Sequence, residues 1–373
     1  MSTNSIPVVR GNGSRNRGRR VAVIGSGSWG TTFAKILTDA GCDVTIWARR
    51  PEIANEIQVA RRNTQYLPGI NLPKRLDATS DLAVALDSAE LVFLAVPSQT
   101  LRQNLLDIEP YLDRRSVLVS LVKGVEKTTT MRMSEVIADT LDLPPERIGA
   151  ISGPNIALEI AKEQPTGAVA SCADFAVAQE IATAASAPYF RTYVNTDVVG
   201  TELGGVLKNL IALAIGIVDG VGYGENTKAA IITRGIAEMT EFSVASGAEP
   251  ATLSGLAGLG DLIATCQSPL SRNNTAGRLI GQGYSQEETR EQMQQVAEGI
   301  TSVHPVLELA RERGIVMPIV EQVQMVLEGT MAPADLGPHL ATEDEVPRPE
   351  QRVEAPPEGR WRRLVNRMKG TSA

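Results

Sequence analysis

The sequence predicts two domains in series: an α/β domain with a mostly parallel sheet, then a domain built of helices alone. Three observations carry this. From residue 20 to about residue 196, apolar β-branched runs alternate with helical patterns, the signature of strands covered on both faces. From residue 197 to about residue 331 the strand-like runs stop and helical apolar spacing takes over. The chain has 373 residues, 43% of them hydrophobic and 4% aromatic, enough for two mainly aliphatic cores.

Residues 1–19 are rich in arginine, glycine and serine without an acid, and predict a disordered basic leader. Val21-Ala22-Val23-Ile24 follows as a strand with no polar face. It runs into Gly25-Ser26-Gly27-Ser28-Trp29-Gly30 and a helix over Thr31–Ala40. In this G-x-G-x-x-G turn Gly25 permits the tight bend, Gly27 lets a pyrophosphate approach the main chain, and Gly30 lets helix and strand pack closely. The helix N-terminus offers free N–H groups to phosphates. A dinucleotide site is therefore expected here.

Further strands are expected at Val44–Trp47, Leu91–Val96, Val117–Val122, Gly149–Ser152, Gly167–Ser171 and Phe190–Val194, with helices at Gln99–Leu112, Thr130–Leu141 and Phe175–Ser186. Ligands of such sheets bind beyond the C-terminal strand ends. One of those ends carries Arg49 and Arg50 and no acid, which suits a ribose 2′-phosphate and favours NADPH over NADH, although a surface role for both stays open. Another carries Lys123-Gly124, a candidate ligand contact, and a third Ser152-Gly153-Pro154-Asn155, a turn into a helix.

The helical domain is read as Val198–Val218, Thr227–Ser246, Leu256–Cys266, Gln286–Val296, Ser302–Arg313 and Ile319–Leu327. Gly204-Gly205 weakens the first of these helices, so a close backbone approach is expected there. Lys208 sits inside the same apolar helix, and Asp261 lies in a second apolar stretch. Capping accounts for Asp261 and Ser271 singly; their company with Lys208 points to a site.

The formal charge of −7 excludes a nucleic-acid binder and means that an anionic substrate needs local basic residues. Cys42, Cys172 and Cys266 form neither a disulfide framework nor a zinc site, as expected of a cytoplasmic protein. No run approaches the roughly 20 apolar residues of a membrane span. His304 and His339, the only histidines, have no evident partners, and His304-Pro305 reads as a helix start. Acid–base chemistry then falls to Lys, Asp or Glu. Residues 332–373 predict a disordered tail, with a short basic helix around Trp361, Leu364, Val365 and Met368 that could touch an anionic membrane surface.

Six short motifs in this order resemble the bacterial NAD(P)-dependent glycerol-3-phosphate dehydrogenases: Gly25–Gly30, Leu121–Gly124, Ser152–Pro154, Gly204–Asn209, Gly258–Asp261 and Ser271–Asn273. Ile231–Met239 also looks like that family. The resemblance implies a Rossmann domain joined to a helical domain like that of 6-phosphogluconate dehydrogenase. It implies reduction of dihydroxyacetone phosphate to sn-glycerol 3-phosphate for phospholipid synthesis, and it allows a homodimer. Lys208 matches the proton donor and acceptor, and Asp261 the acid beside it. Arg272 matches the residue that holds the substrate phosphate and reaches the cofactor. Lys123, Gly153, Asn155, Ser271 and Asn273 match substrate contacts, Asn155 departing from the family's usual Ser or Thr. Ser28, Trp29, Arg49, Arg50, Tyr66, Lys123, Ala157, Val296 and Glu298 match cofactor contacts. A hydroxyacid reductase of the same plan would need a carboxylate pocket, against which Ser271-Arg272-Asn273 speaks. A nucleotide sensor would need neither Lys208 nor Asp261.

Overall fold

The computed structural model describes residues 16–293 and 297–342. Its sheet has eight strands: β1 Arg20–Ile24, β2 Asp43–Trp47, β3 Asp77–Thr79, β4 Leu91–Leu94, β5 Val117–Ser120, β6 Ile148–Ser152, β7 Thr166–Cys172 and β8 Phe190–Asn195. They lie in the order β3-β2-β1-β4-β5-β6-β7-β8, parallel throughout except where β6 meets β7. Sequence direction reverses at β1, which pairs with β2 on one side and β4 on the other. That reversal opens a crevice beyond the C-terminal ends of the two strands, where ligands of such sheets bind. β1 buries every residue after Arg20, as a central strand with helices on both faces must. The short β3 has no apolar run and was not expected.

The helices that matter for the site are α1 Ser28–Asp39, α2 Leu101–Ile108, α3 Met133–Leu141, α4 Phe175–Ala184, α5 Val198–Val221, α6 Glu225–Ala245, α7 Asp261–Gln267, α8 Arg272–Gly281, α9 Glu298–Glu312, α10 Pro318–Leu327 and α11 Pro333–Thr342. The α/β part has one apolar cluster on each face of the sheet, and the helical part has its own around α5. α5 is long and apolar enough to cross a membrane by length and composition, but 83% of that window is buried, so it is the core helix of this domain.

α8 follows the candidate cap Ser271 but is not among the helices expected from apolar spacing, because Arg272-Asn273-Asn274-Thr275 is polar. It forms because its glycine face matches that of α5: a Cβ on Gly277 would collide with Leu213 O, and one on Gly216 with Asn274 O. α6 is pinned from its buried Glu238, whose carboxylate accepts from the N–H groups of Ile319 and Val320 at the start of α10, at 3.1 and 3.3 Å. Ile231–Met239 thus holds a fold contact.

Three expectations need correction. The leader does not extend to residue 19: Asn16 is buried and its amide donates to Ala40 O and Thr183 O, both at 3.0 Å. The tail is not irregular from residue 332, because α11 packs there with Leu336 buried and Tyr223 Oη donating to Ala334 O at 2.9 Å. His304 does not open a helix. It lies inside α9, where Pro305 is accommodated and His304 Nε2 stands 3.5 Å from Glu308 Oε1. His339's side chain, residues 1–15 and the segment around Trp361 lie outside the described residues, as does Val296.

Candidate active site

The glycine turn closes the end of β1. Gly25 has φ of +113°, and a Cβ there would stand 2.5 Å from Ala95 O beyond β4, so no other residue fits. A Cβ on Gly30 would collide with Gly25 O, whereas one on Gly27 would meet nothing within 4 Å. Gly25 and Gly30 therefore serve packing, and Gly27 leaves open space at the N-terminus of α1. Asn63 Nδ2 braces the turn by donating to Ser26 O at 2.9 Å.

Beside this turn, Ser28 Oγ donates to Tyr66 O at 2.6 Å. Arg50 donates to Gln65 Oε1 at 2.6 Å and to Tyr66 Oη at 3.3 Å, with its guanidinium 5.7 Å from the Tyr66 ring centre. Arg49 is exposed. Ala157 starts a short helix against α1, its carbonyl accepting from Thr32 Oγ1 at 3.3 Å. Trp29 Nε1 is buried without a partner among the described residues. Glu298 starts α9 and accepts from the buried Ser98 Oγ at 2.7 Å, a bond from the loop after β4 to the helical domain. Open space at Gly27, an orphaned indole N–H on Trp29 and the arginines after β2 fit a dinucleotide.

A cluster of buried charged side chains lies where β5, β6, α5 and α7 converge. Asp261 is 1% exposed and opens α7. Its side chain caps nothing. One carboxylate oxygen accepts from Lys123 Nζ at 2.6 Å, the other from Lys208 Nζ at 2.9 Å. Lys123 also donates to Gly153 O at 3.0 Å, and Lys208 to Thr265 Oγ1 at 2.6 Å. Thr265 was not singled out in the sequence, although one helical turn after Asp261 places both on the same face. The two lysines and the aspartate hold each other in a charged, nearly dry cluster. Burial pulls the Lys123 ammonium down to about 8; Asp261 opposes this and Lys208 adds to it.

Gly204 and Gly205 supply the expected close approach. A Cβ on Gly204 would strike Ala257 O, and one on Gly205 would lie 2.7 Å from Ser152 Oγ and 3.2 Å from Lys123 Cγ. The Lys123 stem therefore lies across α5 at Gly205.

Around the cluster, both polar atoms of the Asn155 side chain are buried without partners among the described residues, as is Ser152 Oγ. Such groups are costly unless a ligand or water completes them. Ser271 caps α8 by accepting from Asn274 N at 3.3 Å, and Asn273 Oδ1 accepts from Gly299 N at 2.8 Å, tying α8 to α9. Arg272, first residue of α8, makes no hydrogen bond or ion pair among the described residues. It is exposed, yet desolvation lowers its pKa, with the Glu298 charge opposing this.

The family models for the NAD-dependent glycerol-3-phosphate dehydrogenase N-terminus and C-terminus match residues 20–178 and 197–337. A glycerol-3-phosphate dehydrogenase (NAD(P)+) of Leifsonia xyli subsp. xyli is 66% identical over 87% of this chain and 88% of its own. One from Streptomyces griseus is 55% identical over 84% and 94%. The crystal structure of the Coxiella burnetii glycerol-3-phosphate dehydrogenase superposes with a TM-score of 0.82 at 33% identity, covering 87% of this chain and 99% of that one. The glycine turn, the paired lysines and these likenesses agree: the chain is an oxidoreductase that belongs to the NAD(P)-dependent glycerol-3-phosphate dehydrogenase family.

Proposed function

We propose that this chain reduces dihydroxyacetone phosphate to sn-glycerol 3-phosphate in the cleft where Lys123 and Lys208 meet on Asp261, with NADPH preferred over NADH. The observation that carries the reading is that shared carboxylate, which sets two ammonium groups side by side in a nearly dry site.

When bound, the nicotinamide supplies the hydride that reaches the carbonyl carbon; the chain supplies everything else. Gly27 leaves room for the pyrophosphate at the N-terminus of α1, in a turn that Gly25 and Gly30 allow to close. Ser28, Trp29, Tyr66, Ala157 and Glu298 complete that seat, with Arg272 and Lys123 reaching it from the substrate side. Arg49 and Arg50, with no acid at the end of β2, support the NADPH preference.

Reduction of a ketone turns its oxygen into an alkoxide, which needs positive charge and then a proton. Lys208 provides both from one ammonium. Asp261 orients it and balances its charge, and Thr265 fixes a second direction. Lys123, stacked across Gly205, stabilises the substrate's oxygens from the sheet side. Arg272 presents a planar fork to the phosphate, and the first turn of α8, bounded by Ser271 and Asn273, adds backbone donors. Gly153 and Asn155 close the floor, Asn155 with an amide that has no other partner among the described residues. The phosphate does not react, so its binding energy serves to orient the carbonyl. The product is a glycerophospholipid precursor, which makes lipid synthesis the natural consumer.

Mixing the protein with dihydroxyacetone phosphate and following reduced-nicotinamide absorbance tests this. Rapid oxidation is expected, with a larger kcat/KM for NADPH than for NADH. Binding of both cofactors without oxidation would refute the substrate assignment, and a larger value for NADH would refute the role of Arg49 and Arg50.

A further inference from the structure

α5 carries a buried carboxylate that the chemistry above does not use. Glu202 is 5% exposed and lies one helical turn before Gly205, on the same face. Its carboxylate accepts from Arg132 Nη1 at 2.7 Å, from Ser134 N at 2.8 Å and from Ser134 Oγ at 2.5 Å. Arg132 Nη1 also donates to Ser134 Oγ at 2.9 Å, and its other terminal nitrogen pairs with Glu135 at 2.7 Å.

These partners belong to the segment that carries Lys123. Between β5 and α3 the chain passes Lys123 and Gly124, folds back through a bridge between Val125 and Arg132, and enters α3 at Met133. Glu126 N donates to Met131 O at 2.9 Å, and the Glu126 carboxylate is gripped by Arg102 of α2 through two bonds of 2.9 Å. The fold-back is thus a stiff unit with Lys123 at one end and Arg132 at the other. Glu202 and Lys123 line one small cavity with Ser152 and Thr201.

Two points therefore fix this unit on the helix that bears Lys208. At Gly205 the Lys123 stem rests on bare backbone, and one turn earlier Glu202 grips the far end of the same unit. We propose that Glu202 is a positioning residue for the reaction: by holding Arg132 and Ser134 it sets the register of α5 against the Lys123 segment, so that both lysines reach Asp261 together. This rests on the reading of Lys123 and Lys208 as substrate-site groups. Glu202 itself touches neither lysine.

A bare packing role would cost stability alone. A positioning role changes the surroundings of Lys123, and the burial that lowers its pKa depends on its lying against Gly205. The test compares the full-length wild type with Glu202→Gln, Ser134→Ala and Lys123→Ala, measuring kcat and KM for dihydroxyacetone phosphate against pH, the NADPH Kd and the thermal midpoint. Glu202→Gln keeps the shape and removes the charge that Arg132 needs. We expect it to lower kcat/KM at least tenfold with the NADPH Kd within twofold, and to displace the alkaline limb from its wild-type position. Ser134→Ala, the milder change, moves the limb in the same direction by less, and it decides the matter if Glu202→Gln does not fold. A lowered thermal midpoint in either variant, with kcat/KM per folded molecule and the limb unchanged, would overturn the proposal. Lys123→Ala separates the two layers: wild-type kinetics there defeats the reading of Lys123 itself, whereas a damaged Lys123→Ala beside unaffected Glu202→Gln and Ser134→Ala defeats only the role of Glu202.

Discussion

A single carboxylate bridges two ammonium groups, and the one on the sheet side is perturbed by burial. Lys123 is pulled down to about 8 by burial, so its ammonium is present below that pH and lost above it. If that charge holds substrate oxygens, kcat/KM for dihydroxyacetone phosphate falls as pH rises through about 8. Lys123→Arg, whose guanidinium stays charged, should push that limb upward at some cost in geometry. An unchanged limb in Lys123→Arg would assign it to another group. Arg272 makes a different prediction, because it has no hydrogen bond or ion pair among the described residues. Losing a charge-assisted pair to the phosphate costs about 1.5–3 kcal/mol, so Arg272→Ala should raise KM about 10- to 100-fold. An unchanged KM removes Arg272 from the phosphate site. The residues legible in the sequence were those whose charge is out of place in an apolar run, Lys208 and Asp261 above all. Thr265 and Glu202 were not, since a threonine or glutamate on a helix says nothing until its partners arrive from other elements.

Elements place these residues by close approach. α5 passes the sheet domain at Gly205, the turn before α7 at Gly204, and α8 at Gly216 and Gly220. Gly277 and Gly216 form one such crossing, with no room for a Cβ on either. Gly277→Val should therefore destabilise the fold by about 1–3 kcal/mol or more through overpacking, and denaturant unfolding at equilibrium would measure it. A variant as stable as the wild type would contradict the packing seen here. The same crossing explains why α8 was hard to read in the sequence: it is held by backbone contact, so it lacks the apolar periodicity by which helices are recognised. β3 escaped for a similar reason, as a three-residue edge strand, Asp77–Thr79, paired only with β2. The turn after β1 was legible because G-x-G-x-x-G between an apolar strand and a helix is a backbone requirement written directly in residue types.

At the scale of the whole molecule, the site belongs to neither half alone. Lys123 and Gly153 come from the ends of β5 and β6, while Lys208, Asp261, Thr265 and Arg272 come from the helices after residue 197. The join is made by Lys123 with Asp261, Ser98 with Glu298, and Arg132 with Glu202. Composition and periodicity revealed the two kinds of structure, but not these cross-links, because ion pairs between distant segments leave no local pattern. The most direct test of the account compares wild type and Lys208→Ala for NADPH oxidation by dihydroxyacetone phosphate, with the NADPH Kd measured on both. Removing a general acid that also stabilises the alkoxide should lower kcat by about 10²–10⁴-fold, with the Kd within twofold. Near-normal turnover in Lys208→Ala would contradict the assignment of the proton donor, and with it the mechanism built on Asp261.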